Sequence, residues 1–440
     1  MPNYHDNFEA GKVIVALNQN YAYPCAATRN ASVFHGIEHT KVEVIFPSKE
    51  SASDIGEIVL LHLVCQEKAT VTNTVEKLSV HPHVAHAEPN FLFGRHIVPN
   101  DPYYGYLWGM ETIKAPLAWN YATGSADIVV GVTDSGIDYN HPDINDNMWV
   151  SPSGYYGWNF INNDGESMDM TGHGTHVAGT IGAIGNNFIG IAGVCWNVKV
   201  ASLRIGNTVF SLAAAIAAID YANANNIPIL NNSWGGRYYS PILKHTIEHY
   251  SGLFIASAGN DGANNDFFPD YPASFDNDNI ISVAATNPDN TLASFSNYGA
   301  RSVDIAAPGA AVFSLSLNGE YSYQDGTSMS APHVAGAAAL LKSYMPSLTV
   351  LDIKNIILAS ADKHPHLDDK ILTSGILNVN AMFEMVNGFS MVVYTAVAGD
   401  SLWQIAAKHG VALNELIAAN PQIANPNIIY PGQKINIPGK

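Results

Sequence analysis

Cysteine is nearly missing from this chain. Cys25, Cys65 and Cys195 are the only three in 440 residues, so no disulfide framework is expected to hold the fold. Long apolar runs are missing too: nothing approaches the roughly 18 consecutive residues of a membrane helix, so no span is expected. Basic residues are scarce, 20 Lys+Arg against 38 Asp+Glu, for a formal net charge of −18. That argues against a nucleic-acid partner, because phosphate binding needs a basic face. No long-period repeat and no low-complexity tract occurs. The opening MPNYHDNFEAGK lacks the basic start and apolar core of a secretory signal. The expectation is a chain that acts inside the cell, leaves by another route, or is met here without its signal. What is plentiful is core material: 47% of residues are hydrophobic and the mean hydropathy is +0.03. At this length two or three domains are expected.

The chain divides into three textures. Residues 1–98 read as mixed α+β, with strands at 12–17, 55–63 and 84–88 and a short helix at 71–78. Pro99-Asn100-Asp101-Pro102 then punctuates the chain as a turn or linker would. From 99 to 386, apolar strands (127–133, 198–204, 227–232, 253–257, 280–285) alternate with helical stretches (212–224, 241–250, 328–344, 351–359). That alternation predicts an α/β, doubly wound, largely parallel sheet, with reacting groups outside the carboxyl ends of its strands. Residues 392–440 form a small unit of their own: two short strands around two short helices.

Four motifs in the middle region carry chemistry. The apolar run Ile128–Thr133 ends in Asp134-Ser135-Gly136, where a desolvated carboxylate requires a partner. Gly172-His173-Gly174-Thr175-His176 puts a histidine at a glycine-rich helix start, and histidine both takes and returns a proton near neutral pH. Two surface histidines, or a metal on His173 and His176, are the rival readings, though no Glu-x-x-His pattern accompanies them. Gly326-Thr327-Ser328-Met329-Ser330 opens a helix at Ser328, leaving that residue's own N–H unpaired at the helix end. Residue 330 is Ser, so this is not a Gly-x-Ser-x-Gly elbow. Phe254–Gly259 is a strand leading to Asn260, whose amide is a second donor beside that N–H. Cys195, set in Ala192-Gly193-Val194-Cys195-Trp196, reads as a small buried hydrophobe, with a thiol role as the rival. His333 reads as a residue packed within its helix.

Asp134, His173, Asn260 and Ser328, in that order and each at an element end, resemble the subtilisin-like serine proteases, nearest to their thermitase-like and bacterial cell-surface branches. The resemblance covers roughly 99–385. It implies a serine endopeptidase: Ser328 as nucleophile, His173 as general base, Asp134 orienting His173, and Asn260 with the Ser328 N–H as oxyanion donors. It also implies that Ser233, Trp234 and Gly235 pair with an extended substrate, with Ser257, Ala258 and Gly259 on the opposite wall of a roomy, mainly apolar pocket. Asp261 would lie at its rim and tolerate a basic side chain. Trp234 departs from the smaller residue common at that place. A structural Ca²⁺ held by Asp101, Asp143 and Asn187 is implied as well, ordinary turn residues being the alternative. A second site among Asn159, Asn162, Asp164 and Glu166 has asparagines where carboxylates are expected.

Residues 1–98 resemble a subtilase propeptide of ferredoxin-like fold, an intramolecular chaperone and inhibitor, implying self-cleavage between about Asn90 and Asp101. The cluster His81, His83, His86 and His96 is read as solvated surface rather than a metal site. The last unit resembles a LysM module, a βααβ fold that binds N-acetylglucosamine polymers, chiefly peptidoglycan. Its two binding loops would hold Gly399, Asp400, Ser401 and Leu402, and Asn427, Ile428, Ile429 and Tyr430. The expected partners are thus protein or peptide substrates, the chain's own propeptide, and a glycan. A cell-wall or extracellular place follows from the module, with a cytoplasmic or spore-coat place as the alternative. The second functional reading is a glycan-binding envelope or spore-coat component whose protease acts once, on itself or on one partner.

Overall fold

The computed structural model describes residues 8–18, 33–46, 55–91, 97–388, 392–397, 399–409, 411, 413–418, 420, 423, 426, 428–430 and 432–437. The chain splits into two compact units, at Arg95 and His96.

In the first unit, strands β1 (Phe8–Asn18), β2 (His39–Phe46), β3 (Ile55–Leu63) and β4 (Val84–Phe91) form an antiparallel sheet in the order β2-β3-β1-β4. Alternation makes one face apolar: Val13, Val15 and Leu17 of β1 and Val59, Leu61 and Leu63 of β3 are buried. The helix Lys68–Ser79 covers that face with Val71, Val75 and Leu78, the spacing of one helical stripe. This is the ferredoxin-like order. Strand β2 was not foreseen, because His39-Thr40-Lys41 and Glu43 interrupt its apolar alternation.

The second unit is built on a nine-stranded sheet in the order β14-β15-β11-β10-β9-β8-β5-β7-β6. Its members are β5 (Gly124–Asp134), β6 (Gly157–Asn159), β7 (Asn197–Arg204), β8 (Ile229–Asn232), β9 (Leu253–Ser257), β10 (Ile280–Thr286), β11 (Ile305–Pro308), β14 (Asp362–Lys363) and β15 (Gly375–Ile376). All neighbours run parallel except β14 and β15. The hairpin β12 (Val312–Leu315) and β13 (Tyr321–Gln324) stands apart. Both faces are covered. Val130 and Val132 of β5 join a core with helices His173–Gly182 and Thr327–Tyr344; Ala201 and Leu203 of β7 join another with Leu212–Ala224 and Pro241–Glu248. Ala335, Gly336, Ala337, Ala338 and Ala339 make a run of small buried residues in Thr327–Tyr344, which lets it pack closely against the sheet. Parallel strands bring the ends of β5, β8 and β9 to one edge, and the site forms there.

Near the C-terminus, β16 (Val392–Thr395) pairs antiparallel with β17 (Lys434–Ile437), around helices Leu402–His409 and Leu413–Ala418. Leu402, Ile405, Ala406, Leu416, Ile435 and Ile437 form its core. Among the described residues no helix is long and apolar enough to cross a membrane.

Candidate active site

Asp134 closes β5, fully buried, and His173 opens the next helix. Asp134 Oδ1 accepts from His173 Nδ1 at 2.7 Å and from the Ser135 N–H at 2.7 Å. The close approach depends on Gly174, where a Cβ would lie 2.1 Å from the Gly136 carbonyl oxygen. Burial works against a charged imidazole at His173. The Asp134 carboxylate outweighs that by charge and hydrogen bond, so the pKa of His173 is raised. A further carboxylate, unforeseen from sequence, ties the pair together. Asp169 accepts from Ser135 Oγ (2.9 Å), Thr171 N (2.9 Å), Thr175 N (3.0 Å) and Thr175 Oγ1 (2.7 Å). Burial alone would raise its pKa, but the bonds from Thr171 and Thr175 outweigh burial and lower it. The only sign in the sequence was its place four residues before His173.

Ser328 stands second in the helix Thr327–Tyr344, which begins one residue earlier than expected. Pro332 explains the local bonding. It has no N–H, so the Ser328 carbonyl loses its helical partner four residues on. Ser233 Oγ donates to that carbonyl instead, at 2.8 Å, while Ser328 Oγ donates to the Ser233 carbonyl at 3.2 Å. Asn231 Nδ2 in turn donates to Ser233 Oγ at 2.9 Å. The Ser328 hydroxyl therefore rests on Ser233, not on His173. Asn260 Oδ1 accepts from Thr327 N (2.8 Å) and Thr327 Oγ1 (3.0 Å), which leaves its Nδ2 free among the described residues. A Cβ at Gly326, whose φ is +145°, would lie 3.5 Å from Asn260 Nδ2 and 3.6 Å from Ser328 N. Two unengaged donors thus flank one open point beside Ser328.

The two expected substrate walls lie beside this point. Ser233, Trp234 and Gly235 follow β8; Ser257 ends β9 and leads through Ala258 and Gly259 to Asn260. Trp234 turns its indole N–H inward to Thr133 Oγ1 at 2.9 Å and packs on the second core. Asp261 is exposed and paired with Arg237 at 2.7 Å, which occupies the rim carboxylate. A second acid there, Asp270, had no motif to announce it.

Among the other singled-out residues, His176 is buried with Nε2 between the Val312 and Ser322 carbonyls (3.1 and 3.2 Å), and burial pushes its pKa down to about 4. It shares no metal group with His173 among the described residues. His333 bonds the Met329 carbonyl at 2.8 Å and is likewise lowered to about 4 by burial. Cys195 is fully buried, its thiol pKa pushed up by burial; Cys65 is exposed, and Cys25 lies outside the described residues. His81 and His83 have their rings 5.6 Å apart and join no metal-binding group among the described residues, and His96 lies outside them.

The calcium candidates come together. Asp101 and Asp143 are buried, 4% and 0% exposed, with no cationic side chain bonded to either among the described residues. Burial raises the pKa of both, Asp143 to about 7. Asn187 Nδ2 donates to Asp143 Oδ1 at 2.9 Å while its Oδ1 accepts from Ile189 N, so its amide must turn to offer oxygen. Two uncompensated buried carboxylates and an amide fit a hard cation. The weaker set fits a turn: Asn159 Oδ1 caps Ile161 N and Asn162 N, and Asp164 Oδ1 accepts from Glu166 N.

In the C-terminal unit, Asp400 accepts from Tyr394 Oη (2.9 Å) and Val397 N (2.8 Å), Ser401 Oγ caps Gln404 N, and Leu402 is core. The side chains of those three hold the loop from Gly399, leaving mainly backbone to meet a ligand. Ile428 and Tyr430 are exposed, Ile429 is partly buried, and Asn427 lies outside the described residues.

Comparison with known proteins matches two parts of the chain to families. The subtilase family model matches residues 125–378, and the LysM domain model matches 394–438. Thermophilic serine proteinase of Bacillus sp. (strain AK1) is 37% identical over 299 residues, 67% of this chain and 71% of that protein. Thermitase of Thermoactinomyces vulgaris is 35% identical over 271 residues, 60% of this chain and 92% of that protein. A solved protease of Pseudoalteromonas arctica superposes with a TM-score of 0.59 at 28% identity, covering 65% of this chain and 99% of its own.

Proposed function

The chain belongs to the subtilase family of serine endopeptidases, and on that premise we propose that Asp134, His173 and Ser328 are its catalytic triad. Ser328 Oγ leaves the Ser233 carbonyl, attacks the scissile carbonyl carbon and gives its proton to His173. Asp134 keeps the proton of His173 on Nδ1 and stabilises the imidazolium. The oxyanion takes the open point between Asn260 Nδ2 and the Ser328 N–H. His173 then protonates the leaving amine, and water, activated by the same histidine, releases the acyl group. The observation that carries this reading is the bond from His173 to the buried Asp134 at the same sheet edge as two free donors beside Ser328.

The finer parts are proposals of the same kind. Backbone of Ser233, Trp234 and Gly235 pairs with an extended substrate, and Ser257, Ala258 and Gly259 form the facing wall. Asp101, Asp143 and Asn187 hold Ca²⁺, which supplies no chemistry to the reaction and ties the start of the protease domain to the 186–191 loop. Residues 1–98 act as propeptide and inhibitor, removed by a cut between about Asn90 and Asp101, a stretch partly outside the described residues. The module at 392–440 binds peptidoglycan through the loops at 399–402 and 427–431 and holds the enzyme at the cell wall. The envelope or spore-coat component that cuts only once remains the second reading. Turnover of casein by the wild type, lost in Ser328→Ala together with any change in intact mass, is the expected result. A wild type that cuts itself but not casein favours the second reading, and one that cuts neither overturns both.

A further inference from the structure

Gly235 and Gly259 share one neighbour across the cleft beside Ser328. A Cβ on Gly235 would lie 2.3 Å from Asp270 Oδ1, and one on Gly259 would lie 3.3 Å from Asp270 Cγ. The absent side chains of both walls therefore leave room for a single carboxyl group. Each wall is anchored to the nucleophile's helix: Ser233 bonds Ser328, and the Gly259 N–H donates to Thr327 Oγ1 at 3.1 Å. Asp270 is held at the far end by its neighbour. Tyr271 pairs with Gly236 through two backbone bonds of 2.9 and 2.7 Å, and the Ser274 N–H donates to the Asp270 carbonyl at 2.8 Å.

The carboxyl group itself is only partly compensated. Asp270 is 7% exposed, and its Oδ1 is buried with no hydrogen-bond partner. Burial raises its pKa to about 6, helped by the charge of Asp261 and opposed by Arg237 and the Gly236 N–H. Arg237 is committed to Asp261 in an exposed pair. A buried, ionised carboxylate without a partner is costly, and a cationic ligand group removes that cost.

We propose that Asp270 forms the base of the primary specificity pocket and selects lysine or arginine on the acyl side of the cleaved bond. The inference rests on the protease reading above and deepens it. The glycines leave room for the carboxyl group between the walls, and a turn of that group toward the cleft brings its unpartnered oxygen to the incoming ammonium or guanidinium. Asp261, the rim acid, is secondary because Arg237 already neutralises it.

The test is a series of peptide anilides that differ only in the residue before the cut: Lys, Arg, Phe, Leu and Glu. The full chain in its active form is expected to give higher kcat/KM for Lys and Arg than for Phe or Leu. In Asp270→Asn the Lys-to-Phe ratio is expected to fall roughly 30-fold or more, as for a desolvated charge pair that loses one partner. In the wild type the ratio falls between about pH 8 and about pH 5 as the carboxyl takes up a proton, with Asp261 and Arg237 the other charges near it. In Asp270→Asn it does not. Should that variant fail to fold, the wild-type profile and its pH dependence still decide. Faster cleavage after Phe or Leu than after Lys at about pH 8 overturns the inference. Labelling of Ser328 by a fluorophosphonate separates the two levels: a labelled enzyme with that apolar preference keeps the protease reading and sinks this one. An unlabelled chain that turns over no peptide sinks both.

Discussion

A methyl group on Gly326 would occupy the point on which Asn260 Nδ2 and the Ser328 N–H converge. It would also put a side chain on a backbone at φ +145°, which L-residues rarely adopt. Gly326→Ala is therefore expected to lower kcat/KM on the order of 10²-fold, the scale of a small misplacement at a reacting centre. The melting temperature tells a blocked site from a broken fold, and unchanged kcat/KM would remove the oxyanion assignment. Much of the site was legible at this scale because Asp134, His173 and Ser328 sit in short, distinctive runs of glycine and hydroxyl residues. Asp270 and Asp169 were not. Each acts through neighbours that are distant in sequence or in loop geometry, and an isolated aspartate between loops has no pattern to betray it.

Elements with one dominant period were read correctly. The apolar runs at β5, β7, β8, β9 and β10 and the helix Leu212–Ala224 fall where the sequence placed them, because burial on both faces leaves no ambiguity about a parallel strand. The short strands β6, β11, β14 and β15 escaped notice, because no apolar run or turn pattern marks them off from the neighbouring loops. The segment around Asp101 and the loop at 186–191 make a further element-scale case. The Asn186 N–H donates to Asp101 Oδ2 at 2.7 Å and the Ile191 N–H to Asp143 Oδ2 at 2.8 Å, so both carboxylates already gather these strands of loop. With Ca²⁺ at a thousand times its dissociation constant, binding adds about 4 kcal/mol, or on the order of 10 °C in melting temperature for a domain this large. Chelation is expected to remove that increment and added calcium to restore it, read by thermal melting of the wild type. A melting curve indifferent to chelator would dismiss the site.

For the whole molecule, the sequence conveyed a change of texture along the chain better than it conveyed detail. The acidic balance, the alternation of strand and helix from 99 to 386 and the separate small unit at the end each stand out in the sequence. Residues 19–32 and 92–96, the latter within the proposed cut, fall outside the described residues. The processing proposal and the pocket both depend on one reactive hydroxyl. The most direct measurement is to react the full chain with a fluorophosphonate and map the modified residue by peptide mass. The account predicts one adduct, on Ser328, absent in Ser328→Ala and strongly slowed in His173→Ala. An unmodified chain, or an adduct on any other residue with Ser328 untouched, would contradict it.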